Sequence, residues 1–167
     1  MSYRNKTYIA FDADTDIRYY RLMQAWSSHE KHNFSFYNAH DINNLMHFSS
    51  EETIKRKLAE RLQNTKVFIL LVWEKTKYLY KFVRWEIEQA IKQDIPIIVV
   101  NLNWKRSVDN DNCPAIARDN LSVHISFNQK IIDYAIINWP NSHTYYQREW
   151  KNTSFYYVSK IYEELWL

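Results

Sequence analysis

Not one of the 167 residues is glycine. An ordinary domain carries about 7%, and the absence excludes particular chemistries. A Walker loop and a dinucleotide-binding GxGxxG turn need glycine so that the backbone can approach phosphate, and a GxSxG nucleophile elbow needs it for its turn. Any nucleotide bound here is held by side chains and ordinary backbone. Cysteine is nearly as scarce. Cys113 stands alone, so no disulfide forms within the chain, and no histidine motif accompanies it to make a nucleophile. A reducing, cytoplasmic setting is the expectation. Neither sign of charge dominates: 22 basic residues against 19 acidic leave +3, too balanced to point to nucleic acid. Long apolar runs are missing as well. MSYRNKTYIAF has no stretch of signal-peptide length, and Val67 to Trp73 and Ile95 to Val100 are far short of a membrane span.

The length suits one domain over 1–167, with a core at about 5–128 and a C-terminal extension and closing helix at about 129–167. Thr7 to Phe11 reads as a short strand. Asp16 is placed to cap a helix from Ile17 to about Ser28, with Tyr20, Met23 and Ala25 inward. Asn33 to Tyr37 alternates as a second strand. Ser49 or Ser50 caps a helix through Leu62, with acidic residues in its first turn where the helix dipole favours them. Lys66 to Trp73 is a near-continuous apolar strand, the mark of a sheet covered on both faces. A helix around Glu86 and a strand from Ile95 to Leu102 follow, then a long loop from Trp104 to Arg118 and a fifth strand at Leu121 to Phe127. Ile131 to Ile137 reads as a short helix, Asn138 to Asn152 as a loop, and Thr153 to Leu167 as the closing helix with Tyr157, Ile161, Tyr162 and Leu165 inward. This alternation predicts an α/β three-layer sandwich around a mainly parallel five-stranded sheet.

The most informative stretch is Lys81 to Leu102. On its helix Val83, Ile87, Ala90 and Ile91 define the core-facing side. Glu86 falls roughly 60–100° from the centre of that stripe, on the edge shared with Leu79 and Phe82. A carboxylate at a core border is partly desolvated and held by its neighbours. The plain alternative is a rim residue paired with Arg84 or Lys81. Glu88, Lys92 and Trp85 point away.

Ligands of open parallel sheets bind beyond the carboxyl ends of the strands. Phe11, Asp12 and Asp14 fall there after the first strand, and Asn38, His40 and Asp41 after the second, with capping and turn formation as their plain alternatives. The segment leading into the Glu86 helix joins them.

The combination of YIAFDADTD at the first strand, FYNAHD after the second and TKYLYKFVRWEIEQAIKQDIPIIVVNL resembles the TIR-domain superfamily, with its flavodoxin-like layers. Within it the chain is most similar to the TIR-like proteins of bacterial Thoeris anti-phage systems, the ThsB type. Their aromatic-Val-x-aromatic-Glu-Ile block is here Phe82-Val83-Arg84-Trp85-Glu86-Ile87, and the closing Val158 to Tyr162 helix is similar as well. The chain departs from the wider superfamily in lacking its serine before this helix, where Thr76 and Tyr78 stand, and its glycine-containing loop.

The resemblance implies cleavage of NAD+ at the nicotinamide–ribose bond, with Glu86 as the catalytic glutamate. Breaking that bond develops oxocarbenium character that a nearby anion stabilises. Phe11 would stack on the nicotinamide or border its pocket, and Asp12 and Asn38 would bind ribose or the amide, with His40, Asp41 and Phe82 completing the substrate-binding set. Water as acceptor gives ADP-ribose; an internal hydroxyl or adenine nitrogen gives a cyclic isomer; another molecule gives a conjugate. The ThsB-type implication is a cyclic ADP-ribose variant or related conjugate that activates a separate effector, with NAD+ as substrate rather than cofactor, a phage-derived trigger, and self-assembly. Neither nucleic acid nor membrane is an expected partner. Two rivals remain: a TIR scaffold acting by self-association without catalysis, and a nucleoside deoxyribosyltransferase-like enzyme.

Other constellations carry less. His29-Glu30-Lys31-His32 lacks HExxH spacing, so no metal is expected. Lys55-Arg56-Lys57 reads as a solvated face. Trp139, Tyr145, Tyr146 and Trp150 fit either an assembly surface or packing of the last helix over the sheet.

Overall fold

A computed structural model describes residues 5–28, 34–36, 49–79 and 81–167. Its strands are β1 (Asn5–Ala10), β2 (Phe34–Phe36), β3 (Val67–Val72), β4 (Ile97–Asn101), β5 (Ser122–Ser126) and β6 (Ser154–Tyr156). They form one parallel sheet in the order β2-β1-β3-β4-β5-β6. The helices described are α1 (Ile17–Ser28), α2 (Glu51–Gln63), α3 (Val83–Lys92), α4 (Ala115–Arg118), α5 (Gln129–Arg148) and α6 (Ser159–Glu164), with a 3₁₀ turn at Thr76–Tyr78.

The layers follow from the period of two along each strand. Ile9, Ile69, Ile98 and Val123 face one side and pack with Met23 of α1, Ile132 and Trp139 of α5, and Tyr162 of α6. Tyr8, Phe68, Leu70 and Val99 face the other and pack with Leu58 of α2 and Val83 and Ile87 of α3. Every residue of β3 and β4 is buried, as continuous apolar runs require. The Ser50 hydroxyl caps α2, accepting from the Thr53 N–H at 3.3 Å.

Three expectations are corrected. In α1, Tyr20 and Met23 turn inward but Ala25 is exposed; Trp26 takes the inward place instead. In place of the short helix at 131–137 and most of the loop at 138–152 stands one 20-residue helix, α5 (Gln129–Arg148), running through Pro140. An interior proline costs about 3 kcal/mol, yet a buried stripe of Ile132, Ala135, Ile136, Trp139 and His143 continues past it. Asn138 Nδ2 bonds the Tyr134 carbonyl at 2.7 Å on one side of the proline, and Thr144 Oγ1 bonds the Pro140 carbonyl at 3.1 Å on the other. The closing helix is shorter than expected because 154–156 extend and pair with β5, adding a sixth strand to the five expected. Tyr162 is still fully buried, and Ile161, Leu165 and Tyr157 pack beside it.

The missing glycine shows at the helix ends. Asp94 after α3, Trp150 after α5 and Trp166 after α6 all have left-handed φ, at 55°, 56° and 59°. Each closes the same pair of bonds. Trp150 N–H reaches the Gln147 carbonyl and Lys151 N–H the Tyr146 carbonyl, both at 3.0 Å. Asp94 and Ile95 do the same for α3, and Trp166 and Leu167 for α6. This Schellman closure ordinarily falls to glycine.

Candidate active site

The sheet order reverses direction at β1 and β3, so a crevice opens beyond their carboxyl ends. A hollow of 280 Å³ lies there. Phe11, Asp12 and Asp14, just past β1, form one wall; Leu79, Phe82 and Val83, at the entry to α3, form the other. Phe11 stacks on Tyr20 with ring centres 4.8 Å apart, which fixes its ring. Asp12 is buried, and its Oδ1 accepts the Asp14 N–H at 3.0 Å, so the turn after β1 is locked by its own side chain.

Glu86 belongs to the first turn of α3, three and four residues after Val83 and Phe82. It therefore shares their face of the helix, one turn beneath the hollow's wall. Only 6% of it is exposed. The border position read from periodicity is in fact interior, and α2 packs on α3 closely enough for the Arg61 charge to act on the carboxylate. Neither Arg84 nor Lys81 is its partner: Arg84 pairs with Glu88 at 3.0 Å and Lys81 with Glu51 at 3.1 Å. Tyr8, in β1, donates its hydroxyl to Glu86 Oε1. Burial pushes the Glu86 pKa up to about 7, against the Tyr8 hydrogen bond and the Arg61 charge, which both pull it down. Both protonation states are thus populated near neutrality.

The sequence reading missed Tyr8 and Arg61. Tyr8 carries a detectable signal, since a tyrosine in mid-strand of a buried sheet must find a partner for its hydroxyl. Arg61 carries none, because only the packing of α2 on α3 brings its charge near. Asn38, His40 and Asp41 lie outside the described residues, as does the 29–32 histidine pair. Among the described residues no cluster of three His, Cys, Asp or Glu side chains is arranged to hold a metal, and no helix is long and apolar enough to cross a membrane. The Cys113 thiol is buried, and that burial pushes its pKa up to about 12, so it is protonated and a poor nucleophile. Lys55 and Lys57 pair with Glu51 and Glu60 on the α2 surface. Of the four C-terminal aromatics, Trp139 is core, Tyr146 stacks on Phe155 at 4.1 Å, and Tyr145 and Trp150 are exposed.

No curated protein sequence matches the chain. The family described as Thoeris protein ThsB, TIR-like domain, matches residues 8–107, more than half of the chain, from the middle of β1 to just past β4, and includes every described residue that lines the hollow. The α/β parallel sheet is that of a TIR-like, flavodoxin-like fold. The chain belongs to the TIR-like domain family of the Thoeris protein ThsB.

Proposed function

We propose that this protein cleaves NAD+ at the nicotinamide–ribose bond and forms an ADP-ribose-derived signal for a separate effector in anti-phage defence. One observation carries the reading. A buried carboxylate that titrates near neutrality stands one helical turn beneath a hollow at the switch point of the sheet. The departing nicotinamide takes the electron pair of the C–N bond and leaves as a neutral base. The positive charge left on the ribose meets ionised Glu86 in a low-dielectric setting, where an anion stabilises it far more than water would. Phe11 and Phe82 flank the base, and Asp12 accepts from ribose hydroxyls. Glu86 lies behind Phe82 and Val83 rather than on the wall, so substrate entry turns the Phe82 ring aside. Water, a ribose hydroxyl or an adenine nitrogen then adds to the cation and loses its proton.

Membership of the ThsB family supports a triggered enzyme, so the decisive experiment is made in cells. Wild type and Glu86→Gln are expressed with the neighbouring effector under phage challenge, and nucleotides are followed by mass. The expected result is NAD+ loss, nicotinamide release and a product of ADP-ribose mass or its cyclic isomer, in the wild type only. Protection retained by Glu86→Gln with NAD+ intact would establish the self-associating scaffold instead. Nucleosides consumed while NAD+ persists would establish the deoxyribosyltransferase-like reading.

A further inference from the structure

The hollow above Glu86 encloses 280 Å³, just under the range of about 300–1,000 Å³ that suits one drug-sized ligand. NAD+ is two nucleotides joined through their phosphates, larger than such a ligand. The hollow therefore takes the nicotinamide riboside half, and the ADP half lies outside it. The charges agree. Asp12 and Asp14 line this hollow against Lys81 alone, a poor setting for a diphosphate.

A second hollow, of 290 Å³, adjoins the first. Tyr78 and Leu79 line both, so the end of the 3₁₀ turn is the ridge between them. Here the balance of charge is reversed: the lining carries Lys77, Arg84 and Arg118 against Asp111 alone. Leu79, Pro114 and Ile116 add an apolar wall of the kind a purine packs against.

The three cations are held in place. Lys77 Nζ donates to the Asp111 carbonyl at 2.7 Å, and Arg118 donates to the Asn110 carbonyl at 3.3 Å and to Asp119 at 3.0 Å. Arg84 pairs with Glu88 at 3.0 Å. Neither Glu88 nor Asp119 lines the hollow, and exposed pairs of this kind are weak enough to yield to a phosphate. An ammonium carries three N–H donors and a guanidinium five, so each side chain keeps donors to spare.

We propose that this second hollow binds the ADP half of the substrate, its pyrophosphate meeting Lys77, Arg84 and Arg118 and its adenine lying against Leu79, Pro114 and Ile116. The inference rests on the NAD+ reading of the Glu86 site. It gives the non-reacting half of the substrate a task, because binding free energy gathered there is available to turn the Phe82 ring aside.

This hollow is lined by exposed cations, so its test needs no trigger. The full chain is titrated with ADP by calorimetry, and the backbone amide resonances of Lys77, Tyr78 and Ile116 are followed by NMR. ADP should bind saturably, shift those resonances and bind more weakly as NaCl rises. Lys77→Gln and Arg84→Gln should each weaken it by about tenfold, while Glu86→Gln leaves it unchanged. The Arg84 side chain is 53% exposed, so its variant folds even if the Lys77 one does not. Absence of saturation at millimolar ADP would overturn the proposal, as would equal binding by Arg84→Gln and wild type. NAD+ cleavage in cells without ADP binding would overturn this site and leave the reaction standing; ADP binding without cleavage would uphold the site and overturn the reaction.

Discussion

Tyr8 and Glu86, 78 residues apart in sequence, share one buried hydrogen bond between the middle of the sheet and the first turn of α3. The donor stabilises the ionised carboxylate. Tyr8 also stacks on Phe68, with ring centres 5.5 Å apart, so the hydroxyl is held in place from below. Removing the hydroxyl alone keeps the ring and takes away one of the two effects that lower the pKa of Glu86. Tyr8→Phe should therefore raise the Glu86 pKa above about 7 and cost about 1 kcal/mol of stability. Side-chain carboxyl NMR titration reads the first and urea unfolding the second. If NAD+ cleavage needs the anion, the acidic limb of the pH–rate profile moves up by the same interval.

Glu86 also makes stability depend on pH. Its pKa stands at about 7 in the fold against an ordinary 4.5, so the folded protein binds the extra proton between those values. Stability falls as pH rises from about 4.5 through about 7, by up to about 3 kcal/mol. Glu86→Gln removes the titrating group and keeps its shape. Its melting temperature relative to wild type should rise from pH 5 to about pH 7 and level off above it, even as activity is lost. A flat difference would mean the carboxyl is not buried as described.

Asp16 behaves similarly at the start of α1. It is 1% exposed, its Oδ1 accepts from the Thr15 hydroxyl at 3.2 Å, and its Oδ2 has no partner. Burial pushes its pKa up to about 6, with the Asp12 charge adding to the shift. The fold is thus favoured at low pH and loses that advantage as pH climbs through about 6. Asp16→Asn should stabilise the protein at pH 7.5 and bring little at about pH 3.5, below the ordinary carboxylate pKa, by thermal unfolding at both.

Trp166 occupies a left-handed helix end with its ring 88% exposed. Replacing it with glycine relieves the backbone and gives up little packing. The left-handed region costs an ordinary residue about 1–2 kcal/mol, and glycine's own entropy offsets about 0.5–1 of that. Trp166→Gly should stabilise the chain by about 0.5–1 kcal/mol in urea unfolding, and Trp166→Ala should not.

The parts legible in the sequence are those governed by local pattern. β3 and β4 announce themselves by unbroken apolar runs, α2 by its serine cap and acidic first turn, and Phe11, Asp12 and Phe82 by their places at strand end and helix entry. The parts that were not legible depend on neighbours distant in sequence. Nothing near Glu86 reveals that α2 packs on its helix and brings the Arg61 charge to it. Pro140 argues for a break that the buried stripe of α5 overrides. Ser154–Tyr156 is only three residues long and runs straight into a helical pattern, so it does not read as a strand, and it becomes one because β5 presents an edge.

That edge has a consequence for how the molecule is made. As the chain leaves the ribosome, β5 appears well before its last neighbour, with the whole of α5 between them. Until residues 154–156 emerge, its outer N–H and C=O groups stand unpaired, a template for any other extended chain. Losing the last fifteen or so residues would also pull Tyr162, whose oxygen accepts the Ser126 N–H at 3.3 Å, out of the core. A nascent or clipped chain would tend to stick to its copies rather than simply lose a tail.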